Sequence, residues 1–298
     1  MPVRTLQAEP IVQGLYFPEG ARWQADRLLF AEIHAGRLSS VDDAGRHEVI
    51  AEFNSPCSGL GTLPDGSVVV SLMQRSQLVR VAAGAVTLHA DLGDLGFDHI
   101  NDIITDADGR TYVDALMYHM HWDPALIVDG VEIRVHQNKA RETPTSVTDS
   151  LILVDAGGNA RVVATDLLGP NGLAITNDGV TLVVAEWRIN RITQFGIARD
   201  GALGDRRLFG NAPSLPDGLC ADSANAIWCS SPESGDCVRM LPGGEIVARV
   251  KPRAGNRVTA CALGGPNLQT LYLTTDRHPE LGSGAIEAVD VDVPGVAA

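Results

Sequence analysis

Pro170-Asn171-Gly172-Leu173-Ala174-Ile175-Thr176-Asn177-Asp178-Gly179 is the stretch whose reading decides the fold. A polar residue and a glycine open a short apolar run, and an Asp-Gly turn closes it a few residues later. The phrase returns more loosely, a polar or small residue opening a strand-like run that ends in a turn, at Glu19-Gly20 to Asp26, Ser58-Gly59-Leu60 to Asp65-Gly66, Asn101-Asp102-Ile103 to Asp108-Gly109, and Asp217-Gly218-Leu219 to Asn225. A sixth start is visible at Ala260-Cys261-Ala262-Leu263. Most starts lie about 40 to 46 residues apart, the length of four short strands with their turns. The interval that follows Asn101 is longer, and an irregular stretch, 118–149, accounts for the surplus.

Strands can be read inside the units. Arg27 to Glu32, Gly36 to Val41 and His47 to Ile50 form one set, and Val180 to Ala185, Arg191 to Phe195 and Arg207 to Phe209 repeat it. Asp-Gly at 65–66, 108–109, 178–179 and 200–201 supplies the positive φ that tight hairpins need. These spacings predict an all-β chain, one six-bladed β-propeller domain over residues 1–298, with a central metal site. Such a ring needs its last blade locked to its first. Val3 to Ala8 is expected to do this by pairing with the blade built from Leu271 to Thr274 and Ala285 to Val289.

The composition agrees. Hydrophobic residues make up 45% of the 298 and helical signals are poor, while 31 glycines and 16 prolines recur at turn-like intervals. A net charge of -14 argues against nucleic acid and anionic membrane surfaces as partners, and suits a protein that holds a cation. Cys57, Cys220, Cys229, Cys237 and Cys261 form no CxxC pair, and their apolar neighbours suggest buried thiols in a reducing compartment. Met1-Pro2-Val3-Arg4 opens no apolar signal core and no run reaches membrane-spanning length, so the expected location is cytoplasmic.

The first strand of each propeller blade lines the central channel. One register therefore gathers Glu19, Ser58, Asn101, Asn171 and Asp217 around the axis. Glu19, Asn101, Asn171 and Asp217 are the expected metal ligands: two carboxylates and two amides, all hard oxygen donors. Calcium suits them best, since it takes six to eight oxygens in flexible geometry. Manganese, magnesium or zinc are the alternatives, zinc least because the register holds no His or Cys.

His99 lies two residues before Asn101, so on a regular strand both side chains face the same way. It is expected to contact substrate or carry a proton. Asp102 is expected to face the opposite side and to hydrogen-bond within its blade. His119-Met120-His121-Trp122-Asp123 reads either as a transition-metal arm or as solvated loop. The whole 118–149 segment is long enough to fold over the channel mouth as a lid. His119 and His121 on it, with Asn101 and Trp187, complete the expected substrate contacts. Trp23, Trp187 and Trp228 each also suit core packing. Ser58 has no nearby His or Asp in its unit to make it a nucleophile.

As a set, these residues resemble the regucalcin/gluconolactonase family, the sugar-lactone lactonase propellers. The carriers are Phe17-Pro18-Glu19-Gly20 with Trp23, Ser58-Gly59-Leu60-Gly61, Asn101-Asp102, Pro170-Asn171-Gly172-Leu173, Pro216-Asp217-Gly218-Leu219-Cys220, and Ala260-Cys261-Ala262-Leu263-Gly264-Gly265-Pro266. The resemblance implies a divalent metal, usually calcium, on Glu19, Asn171 and Asp217, with Asn101 as fourth ligand or substrate contact. Sugar-lactone members often carry an arginine where this chain has His99, and the segment around His119 to Thr148 is unlike their short loop.

The expected activity is metal-dependent hydrolysis of a lactone or related ester, a small-molecule substrate. The metal would polarise the carbonyl and Asp217 would act as general base, with His99 as the other proton carrier. The rivals are a phosphotriesterase-like hydrolase with Asp217 as nucleophile, and a calcium-binding propeller without catalysis.

Overall fold

The second strands of the repeats, such as Leu28-Leu29-Phe30-Ala31 and Leu182-Val183-Val184-Ala185, are apolar without alternation, as strands covered on both faces must be. Both runs are fully buried. The last strands of the same repeats, His47–Glu52 and Leu203–Asn211, are exposed along much of their length. Apolarity thus fades outward, which is how a radial array of sheets sorts its residues.

The computed structural model describes residues 3–117, 121–128, 130–137, 144, 146–253 and 255–296, with backbone alone at 121 and 137. Among them the strands form six blades around one axis. Blade one is Pro18–Gln24, Arg27–Glu32, Arg37–Asp42 and His47–Glu52. Blade two is Cys57–Thr62, Val68–Leu72, Gln77–Ala82 and Ala85–Asp91, and blade three is His99–Thr105, Thr111–Leu116, Asp149–Val154 and Ala160–Leu167. Blade four is Pro170–Ile175, Thr181–Glu186, Arg191–Ile197 and Leu203–Asn211. Blade five is Leu219–Ala221, Ile227–Ser231, Asp236–Met240 and Ile246–Lys251, and Arg257–Gly264, Thr270–Asp276 and Gly284–Asp290 begin blade six. Consecutive innermost strands touch all the way round, and the Thr259 hydroxyl donates to the Pro18 carbonyl at 2.9 Å to join blade six to blade one.

One apolar cluster fills each junction between neighbouring blades. Phe30 and Tyr272 lie between blades six and one, for example, and Val183 and Ile227 between blades four and five. The repeated glycine makes the approach near the axis possible. A Cβ on Gly20 would collide with the Ser58 carbonyl, and one on Gly172 with the Asp217 carbonyl and the Leu219 nitrogen.

Two expectations are corrected here. The strand that closes the ring is Glu9–Leu15, paired antiparallel with Gly284–Asp290 through Glu9↔Ala288 and Leu15↔Gly284. Pro10 and Gly14 disguise it in the sequence, and irregularities between Pro10 and Val12 and between Gln13 and Leu15 absorb them. Arg4–Gln7, which was expected to take that place, instead runs parallel to Ile246–Lys251 as a fifth strand on the outer edge of blade five.

The long segment, in turn, lies within blade three, between Thr111–Leu116 and Asp149–Val154, and its described part is ordered as two hairpins. His121–Trp122 pairs with His136–Gln137, and Leu126–Val128 with Val131–Ile133. All five cysteines are free thiols, four of them buried. No helix among the described residues is long and apolar enough to cross a membrane.

Candidate active site

Glu19, Asn101 and Asn171 stand at the starts of the innermost strands of blades one, three and four, and Asp217 just ahead of that of blade five. The ladders slip at this level, between Glu19 and Arg22, Ile100 and Ile103, and Pro170 and Leu173. Each slip is a bulge that re-aims side chains at the axis. Glu19 is buried, whereas Asn101, Asn171 and Asp217 are partly open.

Electrostatics ties these residues together. Burial, and then the charges of Asp217 and Asp102, hold the Glu19 carboxyl well above the usual range. Burial and then Asp102 do the same to Asp217, against which a hydrogen bond from the Asn171 side chain acts. The Gly20 N–H donates to Glu19 Oε2 at 3.0 Å. Like-charged carboxyls crowded out of water repel each other unless a cation or proton intervenes.

Asp102 is not the blade-internal residue that strand alternation predicts. Asn101 and Asp102 together oppose the single residue Asp114, so the two-residue period breaks where it was applied. Asp102 is buried among the central carboxyls, with burial raising its pKa and Arg22 opposing the rise. Its Oδ1 has no hydrogen-bond partner among the described residues.

Sequence reasoning missed Asp114. It is fully buried on the second strand of blade three, and its carboxylate accepts the Asn101 backbone N–H at 2.7 Å. Burial and then Asp102 push its pKa well up. The signal was a carboxylate in the otherwise apolar run Tyr112-Val113-Asp114-Ala115. Ser71 of blade two completes the support, donating its hydroxyl to the Asn101 carbonyl at 2.6 Å.

A histidine cluster was missed as well. His34 follows the second strand of blade one, His136 belongs to the insertion, and His278 follows the second strand of blade six. His34 Nε2 and His136 Nδ1 are 2.9 Å apart, and the His136 and His278 rings stack with centroids 5.1 Å apart. Phe17, two residues before Glu19, lies against all three. Burial, and then the neighbouring imidazoles, lower His34 to about 2; burial, and then His278 and Arg257, lower His136 to about 3. No local pattern marks residues this far apart in sequence.

The remaining expected residues are placed as follows. His99 is buried on the innermost strand of blade three, close enough to His136 to influence its titration. Trp187 is buried against Leu116, with Leu215 beside them. His121 lies on a described strand without its side chain, and His119 falls outside the described residues. No three His, Cys, Asp or Glu side chains are grouped to hold a metal ion among the described residues. The central register offers only two carboxylates, Glu19 and Asp217, and adds the amides of Asn101 and Asn171. That oxygen-only set, with its crowded negative charge, fits a hard divalent cation.

Known proteins give this geometry a context. The pentonolactonase XacC of Haloferax volcanii is 28% identical over 264 residues, 86% of this chain and 80% of that protein. The 6-deoxy-6-sulfogluconolactonase of Pseudomonas putida is 27% identical over 91% of this chain and 89% of its own. The fold is similar to that of the calcium-binding protein regucalcin from Agrobacterium tumefaciens (TM-score 0.77, 20% identity, 98% of this chain and 97% of that one). It is also similar to a gluconolactonase from Xanthomonas campestris (TM-score 0.72, 22% identity, 96% and 90%). The profile of the SMP-30/Gluconolactonase/LRE-like region matches residues 17–277, nearly the whole ring, and the chain belongs to that family.

Proposed function

We propose that this protein is a metal-dependent hydrolase of a lactone or closely related carboxylic ester. The observation that carries the reading is the Glu19–Asp217 pair, two crowded carboxyls at the axis with Asn171 bonded to one of them. Glu19, Asn171 and Asp217 would hold the cation, with Asn101 as a fourth ligand or a substrate contact. Calcium suits the set best, with manganese, magnesium or zinc as alternatives. When bound, the cation supplies Lewis-acid stabilisation of charge developing on the substrate carbonyl oxygen.

The chain's own residues do the rest. A carboxylate oxygen of Asp217 takes a proton from the attacking water, and the Asn171 amide fixes that carboxylate's orientation. His99 is the second proton carrier. Its imidazole takes the place that, by the family resemblance, an arginine often holds in sugar-lactone members. Asn101, held by Asp114 and Ser71, presents its amide to the substrate. The described part of the blade-three insertion would serve as a lid, excluding water and selecting the substrate with Trp187. Sugar lactones are the first candidates to try, in keeping with the names of the relatives, and the lid favours a bulkier or more apolar ring.

The test is hydrolysis of a panel of sugar, aliphatic and aromatic lactones by metal-stripped protein, before and after calcium, manganese or zinc is restored. Turnover that returns with a divalent metal is expected. Turnover unaffected by stripping, or absent with every lactone and metal, would overturn the reading.

A further inference from the structure

We propose that His136 is a positioning residue that docks the blade-three insertion on the opposite side of the ring, by packing its imidazole against both His34 of blade one and His278 of blade six. The proposal rests on the lid reading above, and its main readout does not depend on catalysis.

Blade six is diametrically opposite blade three in a ring of six, so the insertion reaches across the axis to make these contacts. Its backbone is fastened at the same place, because the Arg134 N–H donates to the His34 carbonyl at 2.9 Å. His136 then meets three rings: His34, His278 and, edge-on at 4.9 Å, Phe17. Trp122, its partner across the hairpin, adds a fourth ring at 5.7 Å. Phe17 and His99 tie this cluster to the site, being two residues from Glu19 and Asn101 respectively.

The packing favours uncharged rings. An imidazole can donate one N–H to its neighbour's bare nitrogen, which two imidazolium rings cannot do. The charged groups facing the cluster offer little compensation. Arg257 bears on both His136 and His278, His99 bears on His136, and Asp123 is the acid that acts on His278. Arg257 also donates to the His278 carbonyl at 2.8 Å and lies 3.9 Å from Asp276. A positive charge on His136 would therefore meet two imidazoles and a guanidinium, and the insertion should lift.

Hydrogen exchange read by mass spectrometry over residues 121–137 tests this at pH 7.5, with the strand 181–186 of blade four as a folding control. His136→Lys and His278→Lys should each speed exchange at the Arg134 and Asp123 amides at least tenfold. His136→Phe, which keeps an uncharged ring, should stay within threefold of the parent. The parent at pH 4, corrected for intrinsic exchange, should show the same local opening, and this arm holds even if a lysine variant fails to fold. Parent-like protection in a folded lysine variant, or at pH 4, would overturn the proposal. With a lactone that turns over, His136→Lys should raise KM more than it lowers kcat. A parent without turnover would refute the lactonase reading, while the exchange data would still decide the docking.

Discussion

The carboxylate of Asp114 accepts the backbone N–H of Asn101 at 2.7 Å, from the next strand of the same blade. The bulge that aims Asn101 and Asp102 at the axis is thereby pinned by a buried acid that itself faces the centre's charges. Asp114→Ala should cost about 1–3 kcal/mol, since a part-buried N–H loses its partner. Asp114→Asn, which keeps an oxygen acceptor and sheds the repulsion from Asp102, should recover most of the loss. Urea unfolding of the two variants checks this, and an alanine variant as stable as the parent would count against the pin.

The central pair makes a prediction about metal that needs no substrate. Calcium at a hundredfold excess over its Kd should raise the unfolding free energy by about 2.7 kcal/mol. Glu19→Gln and Asp217→Asn should each blunt that rise in calorimetry. If Asp217 is the base, Asp217→Asn should also lower kcat by about 10²–10⁴-fold while the fold persists. Full activity in that variant would remove Asp217 from the mechanism.

Truncation separates the two N-terminal strands. Deleting residues 1–7 removes only the extra strand of blade five and should lower Tm by a few degrees. Deleting residues 1–15 strips blade six of its outer strand and should yield no folded monomer by size-exclusion chromatography and circular dichroism. Equal tolerance of both deletions would mean that the antiparallel closure is dispensable.

The histidine cluster sets an acid limit. His34 and His136 bind protons more weakly in the fold than in the unfolded chain, whose imidazoles titrate near 6.5. The unfolded state therefore takes up more protons below that pH. Stability is complete above about 6.5 and is lost as pH falls toward about 3 and then about 2. At pH 5 the loss should be at most about 2 kcal/mol for each ring, because lifting the insertion relieves part of it. Thermal melts of the parent and His136→Phe between pH 7.5 and 4.5 measure it, and the variant should show the shallower decline.

What could be read in the sequence followed from repetition. A recurring strand-start phrase, a polar residue then glycine in four of the six units, announced the repeat, and symmetry carried Glu19, Asn101, Asn171 and Asp217 to one place without any local sign of a site. Asp102 was misjudged because strict alternation fails at a bulge, and a bulge has no reliable mark in a single strand's residues. Glu9–Leu15 was overlooked because Pro10 and Gly14 look like loop. Asp114 and the three histidines depend on contacts between distant segments, which only the folded ring makes explicit.

The pairing of Glu9–Leu15 with Gly284–Asp290 also governs the order of assembly. Glu9–Leu15 precedes every blade in sequence, so it must wait, unpaired, for Gly284–Asp290 to be made. Five blades can gather as the chain emerges, but the sixth needs both ends, so loop-closure entropy is met in one late step. Until then the growing arc carries an open strand edge, the surface most prone to join another chain. For this protein, a slow final closure should be the moment of greatest exposure to aggregation.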